Sequence, residues 1–174
     1  LYLHVPMWFT MIFLLLLSSY HSYMFVSKGG ELHDSKSYNY AHVGVYFGIL
    51  GLLTGMFWAK YTWGTYWTND PKLNGSAIGL LIYFGYFILR SSIEDESKKG
   101  KISSVYNVFA FSMLIPLIFI LPRLTDSLHP GNGGNPGFNV YDMNSQLRLV
   151  FYPAVTGFIF LGLWISDLRL KMLK

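Results

Sequence analysis

Five apolar runs of roughly membrane-spanning length, separated by short polar stretches, govern what this chain can fold into. They extend from about Val5 to Val26, Ala41 to Ala59, Leu73 to Leu89, Ile102 to Leu121 and Leu149 to Ser166. A helix needs about 20 predominantly apolar residues to cross the ~30 Å hydrocarbon core of a bilayer. Lipid offers no water to the backbone, so such runs must close their hydrogen bonds internally as helices; the alternation of a membrane barrel is absent. The pattern predicts an all-α polytopic membrane bundle with five transmembrane helices, forming a single domain over residues 1–174. The third run is short and contains glycine, and Pro116 inside the fourth predicts a kink, because proline cannot donate to the helical ladder.

Composition supports the same solvent. Charged residues make up 13% of the chain, against about 25% in soluble domains, while 52% is hydrophobic and 18% aromatic. The absence of cysteine excludes disulfides, thiolate metal sites and a CxxCH haem attachment. The net charge of +4 does not come from a basic surface interleaved with aromatics, which excludes nucleic acid as a partner. No GxxxxGK[ST] segment is present to bind a nucleotide triphosphate.

The cations set an orientation. With the N-terminus outside, Lys28, Lys36, Arg90, Lys98, Lys99, Lys101, Arg169, Lys171 and Lys174 fall on the cytoplasmic side, and Lys60, Lys72, Arg123 and Arg148 outside. That imbalance follows the positive-inside rule and makes "SSIEDESKKGK" a solvated cytoplasmic connector. The same parity gathers His4, the aromatic stretch after the second run and His129 on the outer face, and leaves His21, His33 and His42 towards the inner one. His4 and His21 stand ~25 Å apart along a helix axis at 1.5 Å per residue, so the two histidine sets cannot share a site. Asn107 and Ser112 on the fourth run are expected to make helix–helix contacts.

The outer stretch "TWGTYWTNDPKLN", Thr62 to Asn74, is the most informative short segment. Trp58, Trp63, Tyr66 and Trp67 could form an interfacial aromatic belt. A belt leaves Gly64, which permits close backbone approach, and Asp70-Pro71, which suggests a turn into the third helix, without a role. The alternative is an aromatic shelf for a flat, mostly apolar ligand such as haem, for which neutral imidazoles are the usual protein partners. His4 lies in "LYLHVP" and His129 in "DSLHPGNGGNPG", within a loop from Pro122 to Arg148 that is long for a plain connector. The candidate external sites are therefore residues 1–6, 60–74 and 122–148.

"HVP" before a membrane helix, "TG" at Thr54-Gly55, "WGTYWTNDPKLN", "LIYFGYFILR" and "SLHPG", in that order, resemble the CcmC family of cytochrome c maturation. The likeness spans most of the chain, and it extends to the wider haem-handling group with a tryptophan-rich external loop that includes the CcsA-type synthetase subunits. The resemblance implies that His4 and His129 are axial haem ligands and that Trp63, Gly64, Trp67 and Asp70 form a haem-facing platform, with Tyr66 and Lys72 beside them. Departures lie in that loop: Tyr66 and Asn69 stand where the family commonly has further tryptophan, and Lys72-Leu73-Asn74 where it commonly has Arg-Leu-Thr. Lysine keeps the charge without arginine's bidentate fork.

It further implies non-covalent b-type haem, resident or in transit, on the periplasmic face of a bacterial inner membrane. Its partners would be the haem chaperone CcmE, the ABC transporter subunits CcmA and CcmB, and the small membrane protein CcmD. Such a protein would deliver haem rather than catalyse a reaction, with Lys60, Lys72, Arg123 and Arg148 as candidate propionate partners. Family proteins usually have six membrane helices, and the expectation here is that one lies before the HVP segment of the full-length protein. The alternatives are a CcsA-type cytochrome c synthetase subunit, which would transfer haem directly to apocytochrome, and a haem-free channel or transporter.

Overall fold

The computed structural model describes residues 2–129 and 143–172. Its helices are α1 (His4–Lys28), α2 (Glu31–Trp63), α3 (Pro71–Ser92), α4 (Glu96–Ile115), a π-helical turn (Pro116–Ile120), α5 (Leu121–Leu124) and α6 (Ser145–Met172). Among the described residues, five helical segments are long and apolar enough to cross a membrane, with α4, the π turn and α5 forming one of them. The molecule is therefore an all-α polytopic bundle, as the apolar runs predict.

Every one of the five helices is longer than its apolar run. Hydrophobicity marks only the part that lipid covers, whereas local polar chemistry sets the ends. The largest difference is in α2, which begins at Glu31 rather than near Ala41. At 33 residues it is about 50 Å long, well beyond the ~30 Å of hydrocarbon, so its polar first turns stand clear of the bilayer. Helix α3 starts behind Asp70, whose side chain accepts from the Lys72 and Leu73 amides, with Pro71 in the first helical turn. Helix α4 starts behind Asp95, which caps Ser97, so much of the charged connector is itself helical. At Pro116 the ladder reorganises into the π turn, which is the expected distortion.

Helices α1 and α2 form an antiparallel pair joined at Gly29 and Gly30, both at positive φ. Gly44, Gly48, Gly51 and Gly55 make a stripe on α2 at helical spacing. A Cβ there would meet Leu15, Met11, Trp8 and His4 of α1 in turn. Small residues of this kind let membrane helices approach closely. Helix α1 also packs on α4 and α6, and α3 packs on α4. Where α3 meets the π turn the backbones touch: a Cβ on Gly75 would lie 2.3 Å from the Leu117 carbonyl oxygen. Tyr83, Tyr86, Met11, Leu14, Leu15 and Leu114 fill the centre of the bundle.

A buried polar knot crosses the interior. Asn107 of α4 donates to the hydroxyls of Ser18, Ser22 and Ser37 at 2.7, 2.8 and 3.0 Å, joining α1, α2 and α4. Ser112 does not share this role; it is exposed and bonds the Val108 carbonyl of its own helix. At the end of the bundle far from His4, Arg90 donates to Asp34 through its two terminal guanidinium nitrogens, Nη1 and Nη2, and lies over Tyr38, where Arg169 also sits. His21 and His33 meet at that same end, 2.9 Å apart through their Nδ1 atoms.

Candidate functional site: a two-histidine cavity

The opposite end of the bundle holds a cavity of about 220 Å³ with a mainly apolar lining. Helix α1 supplies His4, Val5, Trp8, Phe9 and Ile12, and α2 supplies Leu52, Gly55, Trp58 and Trp63. Lys72, Leu73 and Ser76 come from α3, Ile118 and Phe119 from the π turn, and His129 from the segment after α5. His4 and His129 are 125 residues apart in sequence and line one space.

Each imidazole is fixed through Nδ1. His4 Nδ1 lies 2.8 Å from the Gly51 carbonyl oxygen and 3.3 Å from the Thr54 hydroxyl. Its ring fits against α2 only because residue 55 is glycine: a Cβ there would come within 2.6 Å of His4 Cε1. Four residues on, one helical turn along the same face, Trp8 meets His4 edge-on at 6.3 Å between ring centroids. The "TG" at Thr54-Gly55 is thus the seat of the first histidine.

His129 Nδ1 lies 2.8 Å from Asp70 Oδ1. Asp70 is fully enclosed and has a second task on its other oxygen, Oδ2, which accepts from the Ser127 hydroxyl at 2.9 Å and the Leu128 amide at 2.6 Å. Burial works against the Asp70 charge, but the Leu128 and Ser127 hydrogen bonds and the nearby His129 outweigh it and hold the carboxyl below its usual range. Burial pushes His129 down, against the upward pull of the Asp70 carboxylate, so the ring is neutral near pH 7 and donates its Nδ1 proton to Asp70. The indole rings of Trp63 and Trp58 flank this imidazole, at centroid distances of 5.0 and 5.9 Å.

The expected residues therefore separate by position. His4, His129, Trp63 and Lys72 line the cavity. Asp70 lies behind His129 and orients it, rather than forming part of a flat platform. Gly64 closes α2 at φ 79°, a left-handed position that glycine takes without strain, and its amide bonds the Lys60 carbonyl; a Cβ there would meet nothing. Among the described residues no other part of the chain comes within 4 Å of that Cβ position. Tyr66 and Trp67 are exposed and absent from the lining: Tyr66 packs edge-on to Phe57, and Trp67 Nε1 donates to Asn74 Oδ1.

Asn74 in turn donates to Asn69, so these two departures from the family's usual loop are hydrogen-bonded to each other. Of the outer cations, Lys60 bonds the Gly64 carbonyl beside Tyr66, and neither Arg123 nor Arg148 reaches the lining. Residues 130–142 of the external segment 122–148 lie outside the described residues, as do Leu1 and Lys174. Trp8, Phe9, Trp58 and Phe119 are cavity residues that sequence reasoning left unassigned or gave to an interfacial belt. Helical spacing from His4 was the available signal for Trp8.

Two neutral imidazoles, each with Nδ1 engaged, leave two Nε2 lone pairs as donors, and among the described residues neither Nε2 has a hydrogen-bond partner. Aromatic and aliphatic walls with a single cation complete the set. That donor chemistry fits haem, whose iron takes histidine and whose ring is flat and largely apolar. Fold and site together define a multi-helix membrane protein with a cavity lined by two histidines at one end of its bundle.

The chain belongs to the CcmC family, described as heme exporter protein C, which it matches over residues 1–173. It is 27% identical over 135 residues to the heme exporter protein C of Bradyrhizobium diazoefficiens, covering 77% of this chain and 51% of that protein. To the Escherichia coli K12 protein of the same name it is 26% identical over 133 residues, covering 76% and 52%. The Paracoccus denitrificans protein is 24% identical over 173 residues, covering 98% and 70%. The chain spans about half the length of the first two relatives.

Proposed function

We propose that this protein holds haem as cargo on the periplasmic face of a bacterial inner membrane and passes it to a haem chaperone of the CcmE type. The observation that carries the proposal is the meeting of His4 and His129 in one apolar cavity with both Nδ1 atoms already bonded. Iron in a bound haem supplies two axial positions for nitrogen ligands. His4 and His129 offer neutral Nε2 atoms to them, Trp8, Trp58 and Trp63 shape the walls, and Lys72 provides a positive charge for a propionate. The ABC subunits CcmA and CcmB, with the small CcmD, would supply the energy for release that this chain, lacking a P-loop, does not.

Orientation rests on the distribution of Lys and Arg. A membrane-impermeant thiol reagent applied to intact cells is expected to label cysteines placed at Asn74 or Ser127 and to spare one at Ser97. Labelling at Ser97 would reverse the topology. Loss of the protein is expected to abolish haem loading of the chaperone while haem synthesis continues; holocytochrome made without any chaperone would refute the delivery role.

A further inference from the structure

The two cavity histidines are supported by partners of unequal strength. His129 leans on an anion: the Asp70 carboxylate receives its Nδ1 proton at 2.8 Å from a fully buried position. The Lys72 and Leu73 amides hold the same oxygen at 3.0 and 3.2 Å, while Ser127 and Leu128, the residues just before His129, hold the other. One group thus fixes both the ring and the backbone that carries it. His4 leans on a neutral carbonyl. The Gly51 oxygen sits within α2, so it already serves the helical ladder, and the Thr54 hydroxyl also lies within 3.0 Å of it.

A hydrogen bond to an ionised acceptor is about twice as strong as one between neutral groups. A carboxylate behind a ligating imidazole also raises that ligand's basicity, so it gives more charge to the metal. Asp70 accepts from five donors, His129 among them, and as an ionised carboxylate it is a stronger acceptor for that ring than the Gly51 carbonyl is for His4.

Resting on the haem reading above, we infer that the ligands act in order: His129 is the retained ligand, His4 is the one that yields first on hand-over, and Asp70 is the positioning residue that sets this order. Hand-over then begins as ligand exchange. The bond from iron to His4 Nε2 breaks and its electron pair returns to the ring, while a neutral nitrogen or oxygen donor of the acceptor protein bonds in its place. The iron keeps its oxidation state.

The test uses the detergent-purified full-length protein loaded with haem, followed by gel filtration and potentiometric titration. His4→Gly is expected to keep haem and to regain a six-coordinate spectrum with added imidazole, whereas His129→Gly loses haem on the column. Asp70→Asn is expected to lower haem affinity about 10–100-fold and to raise the midpoint potential, because a less basic ligand favours ferric iron less. Ser112→Ala, at an exposed residue that bonds its own helix away from the cavity, should leave the potential near that of the wild type. Asp70 also caps α3, so the potential is read only from protein that still carries haem, and the two glycine variants test the order without touching Asp70. Equal haem loss from both glycine variants, better retention by His129→Gly, or an unmoved potential in Asp70→Asn would overturn the order. Failure of the wild-type protein to bind haem at all would instead sink the haem reading.

Discussion

Replacing Gly55 by Ala should improve the helix and damage the site, a combination that ordinary destabilisation does not produce. Alanine is favoured over glycine in a helix interior by about 0.8–1.0 kcal/mol. The new Cβ, however, would stand 2.6 Å from His4 Cε1 and 3.2 Å from Nδ1. Reaching the 3.4 Å of ordinary contact moves the ring by about 0.8 Å. Because the Gly51 carbonyl belongs to the same helix, that retreat stretches the 2.8 Å hydrogen bond towards about 3.6 Å, where it no longer holds.

The lost bond costs about 0.5–1.5 kcal/mol, which the propensity gain offsets. The ring has cavity to move into, so backbone strain adds little. Thermal unfolding in detergent should therefore stay within about 1 kcal/mol of the wild type. Haem affinity, measured by absorbance titration, should fall about 10–100-fold, since ligands must be held to within about 0.5 Å. Wild-type affinity and spectrum in Gly55→Ala would refute the placement of His4 against α2.

Acidification should release haem in a defined direction. The neutral form of His129 is favoured by burial, so binding should persist through its ordinary pKa of about 6.5 and be lost only as pH falls through the lower folded value. Asp70, held below the usual carboxylate range, stays ionised across that window; haem lost above pH ~6.5 would contradict the assignment. Trp63→Ala should weaken haem binding and Trp67→Ala should not, because only Trp63 lines the cavity; equal losses in titration would put Trp67 back in the site. Gly75→Ala should destabilise the bundle by about 3 kcal/mol or more, as its Cβ would meet the Leu117 carbonyl, a backbone atom that cannot swing aside; a normal detergent melting curve would show the contact to be looser.

What the sequence made legible follows from the range of each interaction. Bilayer thickness acts on any run of about 20 residues, so the five helices could be placed from hydropathy alone. Their ends depend on single polar residues such as Asp70 and Asp95, and the polar turns from Glu31 to Tyr40 carry no hydropathy signal. Parity and motif order brought His4 and His129 to one end. The task of Asp70 was hidden because its contacts with Ser127, Leu128 and His129 lie 57 to 59 residues away, whereas its cap on α3 is local. Trp58 was indistinguishable from a belt residue until the ring beside it was placed. Tyr66 and Trp67 share the loop with Trp63, but α2 stops at Gly64, and the turn beyond that cap carries both away from the cavity.

The central claim is that one iron sits between His4 and His129. Electron paramagnetic resonance of the ferric, haem-loaded protein tests it most directly, because two imidazole ligands give a low-spin signal and one gives a high-spin signal. The wild type should be low-spin, and the haem kept by His4→Ala should be high-spin, reverting with added imidazole, while His129→Ala should lose the low-spin signal together with most of its haem. His21→Ala and His42→Ala should leave the signal unchanged. A low-spin signal that survives loss of His4 and of His129, or one that collapses with His21 or His42, would contradict the account.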